Sequence, residues 1–380
     1  MGWSRRIGGV AVLSRGSIWF APAGAGLLFA AVAGASPQHR AVLGLALEER
    51  VDDGALASGG AELMSKLSPE VGYELKSEQR DLTAAYDADL IHHLVAGNVG
   101  LDHRGRLRYR DEPTERLELH LDATLYRVED SSTLPRFGVA RTQSAALWLK
   151  GELALDYRLS HRDTAELGYR TEATRLYANG LPLTSVHALA GEVRREVGRR
   201  LELGVRYRAQ LFTAGLTPRA HTHAVSGTLR FTLARHTFLA VDAGPVLFAA
   251  SGLRSVTPRV GAELGYEARG VELGVVGGRD YVGAAGFATA IWADYVQVAA
   301  AWKVSRAVSL NAAGGLYRNG VAPAGPVDAQ GWGAGAGFEW RFAKELSAEL
   351  SYNRISQLGT AAVPGLSRNI ASARLTYRVP

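Results

Sequence analysis

Apolar and polar residues alternate with a period of two along most of this chain, from about residue 38 to its C-terminus. In the run from Ala145 to Leu159, the odd-numbered residues are apolar or glycine. The even-numbered residues of the same run include Lys150, Glu152 and Arg158. Because side chains alternate between the two faces of a strand, this spacing predicts β-strands with one oily face and one charged face.

The same alternation returns in 117–125 and 201–211, and no amphipathic helix of comparable strength interrupts it. A soluble β-sandwich also alternates, but its polar faces rarely carry so many charges over so many consecutive strands. A transmembrane barrel places one face against lipid and the other against a polar interior. The pattern therefore predicts an all-β fold, a transmembrane antiparallel up-and-down β-barrel.

The connections between these runs alternate in length. Short polar turns are predicted at Asp111–Thr114, Ser160–Asp163, Gly198–Arg200, Ala234–His236, Arg269–Gly270, Ser305–Ala307 and Ala343–Glu345. Longer segments rich in Gly, Pro and Ser lie between them, at Asp130–Gly138, Tyr177–Leu183, Ala214–Ala220, Asn319–Asp328 and Gln357–Ser367. Outer-membrane barrels have short periplasmic turns and longer extracellular loops, so the alternation predicts that topology.

The strand count follows from the same connections. Counting back from a last strand at Asn369–Val379 reaches Val71–Glu78, and because such barrels hold an even number of strands, Arg40–Arg50 supplies one more. The total is about eighteen, within a range of about 16 to 18. The segment Val51–Pro69 is then the first external loop, and a short helix is expected within it at Ala61–Leu67.

The N-terminus has the composition of a secretory signal. Arginines precede an apolar stretch at Ile18–Val32, and the small residues Ala33, Gly34 and Ala35 follow it. We expect a Sec-type signal peptide at residues 1–35, cleaved before Ser36 or directly after Ala33, and a single barrel domain at 36–380. An uncleaved anchor helix and a twin-arginine signal are the alternatives.

Charge and cysteine content exclude several other classes. The formal net charge is +6, and it falls to +3 without residues 1–35, which hold three arginines and no acid. The remaining charges are spread along the strands, so no basic patch predicts nucleic-acid binding. The chain has no cysteine, which excludes a lipid-anchored cysteine, disulfides and a thiolate metal site.

The polar parity of the strands predicts the residues that line the lumen. Charges of opposite sign on neighbouring strands should pair and hold the wall open, and inward aromatic rings either fill space or offer stacking faces to a solute. The candidates are Arg104, Arg106, Arg108, Arg110, Glu118, Asp122, Tyr126, Trp148, Arg170, Arg194, Arg206 and Arg208.

Aromatic residues on the apolar parity lie near strand ends. Tyr and Trp rings prefer the headgroup level of a bilayer, so these residues are candidates for interfacial girdles, with ordinary β-propensity as the alternative reason for their presence. They are Tyr109, Tyr157, Tyr169, Tyr266, Trp292, Trp302, Trp340 and Tyr377.

Residues with chemical potential are few. His92 and His93 point to opposite faces of a strand, and the pair His221 and His223 has no evident third ligand. Asp87 and Asp89 share a face, as carboxylates of a water-facing strand would, and no Ser/His/Asp constellation suits acyl transfer. We therefore expect no catalytic residues, no metal and no cofactor.

Residues 48–90 resemble the start of outer-membrane β-barrel porins of the kind associated with exopolysaccharide export loci. The sequence of this segment is EERVDDGALASGGAELMSKLSPEVGYELKSEQRDLTAAYDADL. The shared features are an acidic external loop, a strand that begins at proline, a short polar turn and the aromatic-Asp pair Tyr86-Asp87. Residues 103–130 look like the following hairpin of such proteins, and the last strand resembles the insertion signal that the outer-membrane assembly machinery reads.

The resemblance implies an outer-membrane conduit for export of a polysaccharide, with a periplasmic export protein docked at the short-turn face. Its partners would be the bilayer, the assembly machinery, that export protein and the translocated polymer. A general diffusion porin for small solutes is the alternative, and an outer-membrane enzyme is a third hypothesis.

Overall fold

The computed structural model describes residues 38–54, 60–131, 144–177, 181–215, 217–250, 252–283, 290–321, 329–359 and 365–379 of the 380-residue chain. The expected signal peptide at residues 1–35 lies outside these ranges. Among the described residues, no helix has the length and apolar character needed to cross a membrane.

Regular structure in the described ranges consists of eighteen strands. They are β1 (Gln38–Asp52), β2 (Glu62–Lys76), β3 (Arg80–His93), β4 (Val99–Thr114), β5 (Leu117–Val128), β6 (Ala146–Arg158), β7 (Asp163–Leu176), β8 (Thr184–Glu196), β9 (Leu201–Ala214), β10 (Thr217–Ala234), β11 (Thr237–Ala250), β12 (Leu253–Ala268), β13 (Val271–Gly283), β14 (Ala290–Lys303), β15 (Val308–Val321), β16 (Ala329–Arg341), β17 (Leu346–Gln357) and β18 (Leu366–Val379).

Each strand pairs antiparallel with the next one in sequence, and β1 pairs with both β2 and β18. The first and last strands meet through a continuous register from Leu43 opposite Val379 to Asp52 opposite Ile370. Since the sheet returns to its first strand, no edge is left open. The predicted antiparallel up-and-down barrel of about eighteen strands is confirmed.

The two faces of the wall differ as the alternation predicts. On β1, Leu43, Leu45 and Leu47 are 62%, 45% and 55% exposed, and they lie on the outer face. On the other face of the same strand, Asp52 is completely buried and Glu48 is half-buried inside the barrel. An apolar outer band and a charged interior follow from a single strand pattern.

Connections at one end of the barrel are uniformly short, from the two residues Arg235–His236 to four residues in turns such as 159–162. We call this the turn end and the opposite one the loop end.

The predicted alternation of short and long connections holds in outline, but the segment Ala214–Ala220 is not a long loop. β9 continues to Ala214 and β10 begins at Thr217, with a register shift between Pro218 and Ala220. Proline and glycine, which usually mark a loop, here accompany a register shift within a pair of strands.

The predicted turn at Asp111–Thr114 also lies elsewhere. β4 extends to Thr114 through an irregularity between those two residues, and Glu115 and Arg116 make the turn. Polar composition indicated the turn, but the extra residues are taken up as a bulge inside the strand.

The short helix expected at Ala61–Leu67 is wrong, because β2 already begins at Glu62. Alternate residues there point in and out: Met64 is 5% exposed, whereas Leu63 is 40% exposed on the outer face. Pro69 does not begin the strand but lies inside it. Pairing with β1 continues through Pro69, while the ladder to β3 is interrupted between Leu67 and Glu70, where proline has no N–H to donate.

Candidate functional site: the interior of the barrel

The arginine row of β4 points into the barrel, each residue at a different height. Arg104 is buried and forms an ion pair with Asp89 of the neighbouring β3. Nearer the turn end, Arg108 donates from Nε to Oδ2 of Asp122 on β5, at 3.1 Å. Arg106 lies between them and makes no ion pair with any residue in the described part of the chain. One uncompensated cation is thus left in the row.

Arg110 completes the row at the turn end, where it forms ion pairs with Glu118 of β5 and with Glu112, the latter at 2.9 Å. Its exposed side chain, 43% accessible, shows that this pairing occurs in water. A pair of this kind fixes orientation more than it adds stability.

The remaining predicted lumen arginines also lie among carboxylates. Arg170 of β7 is 3.4 Å from Glu152 and 3.3 Å from Glu172. Arg194 of β8 lies within 3.4 to 3.6 Å of three carboxylates from three other strands. These belong to Asp156, Glu166 and Glu202. Cross-strand ion pairs therefore run round the inner wall, so most of its arginines are compensated.

Arg206 and Arg208 of β9 each form an ion pair with a carboxylate. The guanidinium of Arg206 donates from Nε to Glu192 at 2.8 Å, and the Thr228 hydroxyl donates to the other oxygen of that carboxylate at 2.8 Å. Arg208 forms an ion pair with Asp280 of β13, which is four strands away in the sheet. A contact between such distant strands crosses the interior instead of following the wall.

Asp280 is the centre of that crossing. It also accepts a bond from Nε of Arg259 on β12, at 3.2 Å, and Arg259 forms a second ion pair with Asp242 of β11. Two guanidinium groups therefore converge on one carboxylate. Because the desolvated charges compensate one another, this network can hold the loop end of β13 inside the barrel.

An apolar cluster fills the same side of the interior at the loop end. Phe248 is completely buried, and its ring stacks on that of Tyr281 with centroids 4.9 Å apart. Trp292 packs edge-on against Tyr281 at 4.6 Å. We name this the loop-end cluster; its buried members are Phe212, Ala220, Ala224, Val246, Phe248, Tyr281 and Ala290.

The loop-end cluster joins strands that are not neighbours in the sheet. The last residue of β13, Gly283, approaches Val186 of β8, and an ideal Cβ built on Gly283 would lie 3.7 Å from the Val186 Cβ. β8 and β13 are five strands apart, so this contact spans the lumen. The lumen is therefore narrowed at the loop end, between β8 and β13.

A second, smaller apolar cluster lies on β5, β6 and β7. Tyr126 and Trp148 are 3% and 2% exposed, with ring centroids 5.4 Å apart. The Trp148 indole N–H donates to Oε1 of Glu172 at 2.9 Å. Both rings are packed into the wall rather than standing free in the lumen, which limits the faces that they could offer to a solute.

Another charged network lies near the β1–β18 closure, and sequence reasoning missed it. Lys66 of β2 lies 2.9 Å from Asp89 and 3.5 Å from Glu48, and Glu48 also lies 3.6 Å from Arg374 of β18. The parity of β1 and β2 could have placed Glu48 and Lys66 inside. The expected loop and helix at Val51–Pro69 concealed Lys66.

At the loop end of this closure, Arg368 of β18 is buried between two acidic residues. Its Nε donates to Asp52 of β1, and its Nη1 donates to Asp130 at 2.5 Å. Asp130 follows β5, which lies four strands beyond β1 in the sheet. The root of the β5–β6 connection is thereby bound to the β1–β18 closure, five strands away from β18 in the sheet.

Asp53 extends the closure beyond the end of β1. The side-chain amide and the backbone N–H of Asn369 both donate to its carboxylate. These hydrogen bonds hold the pKa of Asp53 below its ordinary value, since they stabilise the charged form.

The predicted girdle residues do not all have the same surroundings. Tyr157, Tyr169, Tyr266, Trp302, Trp340 and Tyr377 are exposed on the outer face. Tyr109 is half-buried and donates its hydroxyl to Asp111 at 2.9 Å. Trp292 packs against the loop-end cluster, because the end of β13 bends inward and brings Tyr281 against it.

The described residues contain no group of His, Asp or Glu side chains arranged to hold a metal ion. His223 instead shares a hydrogen bond with the Tyr207 hydroxyl, 2.7 Å from Nδ1. The described interior combines paired charges, Arg106 without an ion pair among the described residues, and the apolar loop-end cluster on one side. Such an interior acts on a solute by size and electrostatic field.

No protein-family model matches the sequence, and no curated protein matches it. Among solved structures, the chain is similar to OpdQ of Pseudomonas aeruginosa, with a TM-score of 0.45, 11% identity, and coverage of 90% of this chain and 98% of that one. OccK2 (OpdF) of the same species, solved in complex with glucuronate, has a TM-score of 0.46 and 11% identity, with coverage of 90% of this chain and 98% of that one. OccAB3 of Acinetobacter baumannii has a TM-score of 0.45 and 8% identity, with coverage of 90% of this chain and 99% of that one. The association with exopolysaccharide export expected from the sequence finds no support in these comparisons.

Proposed function

We propose that this protein is an outer-membrane porin that passes small solutes through a narrowed lumen, without catalysis. The observation that carries the proposal is the contact between Gly283 of β13 and Val186 of β8 across the interior. A closed barrel of this strand number can enclose an aqueous channel. The inward contact reduces the width that remains for a solute.

The outer face supports a membrane location. Leu, Val and Tyr side chains such as Leu45, Val205 and Tyr377 are 45%, 62% and 52% exposed there. An exposed apolar band on a closed sheet is stable in lipid, where every backbone group is already paired. The short connections define the periplasmic end, as in other outer-membrane barrels, and the long ones face outward. Sec export and the barrel assembly machinery are the partners that this route requires.

The narrowed interior favours small solutes over a polymer. Arg368 of β18 binds Asp52 of the neighbouring β1 and Asp130 after β5, and Asp280 of β13 binds Arg208 of β9 and Arg259 of β12. A hydrated polysaccharide would have to separate these buried pairs, each at a cost of several kcal/mol, on the order of 3–5 for a broken buried pair. A small solute can pass without breaking them. The conduit with a periplasmic export protein is retained as the alternative that experiment can decide.

The test is single-channel recording of the purified barrel in a planar bilayer, with poly(ethylene glycol) of graded size in the bath. We expect a steadily open channel whose conductance falls only when small polymers enter it. Surface polysaccharide is measured in parallel in a strain that lacks the gene. A channel that is closed without a periplasmic partner, together with lost surface polysaccharide, would instead establish the export conduit.

A further inference from the structure

Five exposed arginines lie on the outer face of the wall near the loop end of their strands. Their orientation follows from their neighbours: Leu125, two residues before one of them, is 43% exposed, and Val256, two residues after another, is 68% exposed. We call these residues the arginine belt. They are Arg127, Arg175, Arg254, Arg279 and Arg354, on β5, β7, β12, β13 and β17.

Four of the five belt arginines form no ion pair with any described residue. Within the described part of the chain only Arg279 forms an ion pair, with Asp294, where Nη2 and Oδ2 are 2.9 Å apart. At the turn end, outward arginines of the wall have acidic partners. Arg80 lies 3.1 Å from Asp111, and Arg195 lies 3.7 Å from Asp163. The two ends of the outer surface are therefore electrostatically different.

Three belt arginines are held by aromatic rings. The guanidinium carbon of Arg175 lies 5.5 Å from the centroid of the Tyr177 ring. Those of Arg279 and Arg354 lie 5.4 and 5.5 Å from the rings of Trp292 and Trp332. Stacking restricts the side chain, and in Arg175 and Arg354, unlike Arg279, no described residue accepts from the N–H edges of the guanidinium.

Two tyrosine hydroxyls on the outer face form hydrogen bonds within the protein. The hydroxyls of Tyr86 and Tyr169 lie 2.6 and 2.9 Å from Nδ1 of His103 and His187 on the following strands. These two tyrosine hydroxyls therefore have partners within the protein. Four belt arginines differ from them, because their charges face outward and form no ion pair with any described residue; they are Arg127, Arg175, Arg254 and Arg354.

We propose that the arginine belt binds phosphate groups on the headgroups of the external leaflet, borne by a phosphorylated glycolipid. The inference goes beyond solute transport and uses only the orientation of the barrel. A guanidinium among exposed Leu and Val side chains at a membrane surface is costly without a counter-charge. A phosphate supplies that charge and accepts two parallel N–H bonds from one arginine. The aromatic rings hold the donors in place before the lipid arrives.

Basic residues are also found at the turn end, but they lie in the turns, beyond the wall, where water solvates them. They are Arg116, Arg162, Arg200, Arg235, Arg269, Arg306 and Lys344, all exposed. They provide a matched control, because removing four of them changes the net charge as much as removing four belt arginines does.

The experiment measures lipid binding by native mass spectrometry of the whole protein in detergent, with bisphosphorylated lipid A and its dephosphorylated form as probes. The belt variant combines Arg127→Gln, Arg175→Gln, Arg254→Gln and Arg354→Gln. The control variant combines Arg162→Gln, Arg235→Gln, Arg269→Gln and Arg306→Gln. Folding of each is checked by heat-modified mobility on gels.

We expect the belt variant to bind bisphosphorylated lipid A about tenfold or more weakly than the wild type, and the control variant to match the wild type. All three proteins should bind the dephosphorylated lipid equally. Equal binding of the phosphorylated lipid by the belt variant, or an equal loss in the control variant, would overturn the proposal. If the belt variant does not assemble, the pair Arg127→Gln and Arg254→Gln, which leaves the stacked arginines intact, is tested against Arg235→Gln and Arg269→Gln with the same two outcomes.

Discussion

Arg368 donates from Nε to both carboxylate oxygens of Asp52, at 2.7 and 2.9 Å, and so joins the last strand of the barrel to the first. The two side chains are 2% and 0% exposed. Residues at opposite ends of the chain thus form a buried ion pair at the point where the sheet closes. Local alternation determines the strands, but pairs of this kind help to determine where the first strand meets the last.

Replacement of Arg368 by methionine should destabilise the barrel by about 1.5–3 kcal/mol, because the buried Asp52 loses the guanidinium that donates to both of its carboxylate oxygens and keeps only Arg50, whose Nη2 lies 2.7 Å from Oδ2. The measurement is urea unfolding in lipid vesicles followed by tryptophan fluorescence. Arg341→Met is the control. Arg341 pairs with Glu339 at 3.2 Å with 57% of its side chain exposed, so its loss should cost at most about 1 kcal/mol. Equal losses in the two variants would show that the closure pair is not distinctive.

A disulfide should form between Val186→Cys and Gly283→Cys across the lumen. The 3.7 Å between the ideal Cβ of Gly283 and the Val186 Cβ lies within the range that disulfides require, about 3.5–4.5 Å. The wild-type chain has no cysteine, so maleimide labelling after denaturation counts free thiols directly. We expect none without reductant and two with it. The pair Val186→Cys with Gly198→Cys, at the turn end, should remain reduced.

Neutralisation of Arg106 should change ion selectivity with little change in stability. Its side chain faces the lumen without an ion pair among the described residues, so its field acts on passing ions. We expect Arg106→Gln to shift the anion-to-cation permeability ratio roughly twofold towards cations, measured from reversal potentials in a salt gradient. Arg106→Lys keeps the charge and should behave as the wild type. An unchanged ratio in Arg106→Gln would place the permeation path away from β4.

Gly244 of β11 should not tolerate alanine. A Cβ at this position would overlap the backbone oxygen of Val225 on β10, so the strands would have to move apart. We expect a loss on the order of 1–3 kcal/mol, measured by urea unfolding. Gly191→Ala is the control, since nothing lies within 4 Å of an ideal Cβ there. A Gly244→Ala barrel as stable as the Gly191→Ala barrel would contradict the close approach.

The loop end of the β1–β18 closure should loosen in acid. Asn369 binds the charged form of Asp53 and lowers its pKa, so this stabilisation is complete above the ordinary pKa of aspartate and is lost as the pH falls through the lowered one. The difference in melting temperature between the wild type and Asp53→Asn should therefore shrink as the pH is lowered from neutral. The variant Asp81→Asn, whose carboxylate makes no ion pair among the described residues, should show no such trend.

The strands and their two faces can be predicted from the sequence alone. A period of two is a local property of the backbone, so it could be recognised from residues such as Leu43, Leu45 and Leu47 without knowledge of their partners. The even number of strands and the alternation of short and long connections followed from the closed sheet. Local composition predicts the strand boundaries wrongly at Pro69 and at Ala214–Ala220. In both places a proline lies within a strand, although proline usually marks the end of one.

Which charges meet, and where the lumen narrows, depends on the folded barrel. The pairing of Arg368 with Asp52 depends on strand register at the closure, because a shift by one residue would exchange the two faces. The inward bend of β13, which brings Tyr281 against Phe248 and Gly283 against Val186, joins residues on strands that share no hydrogen bonds. No local pattern encodes such contacts, since they arise from the packing of side chains that meet only after the barrel has closed.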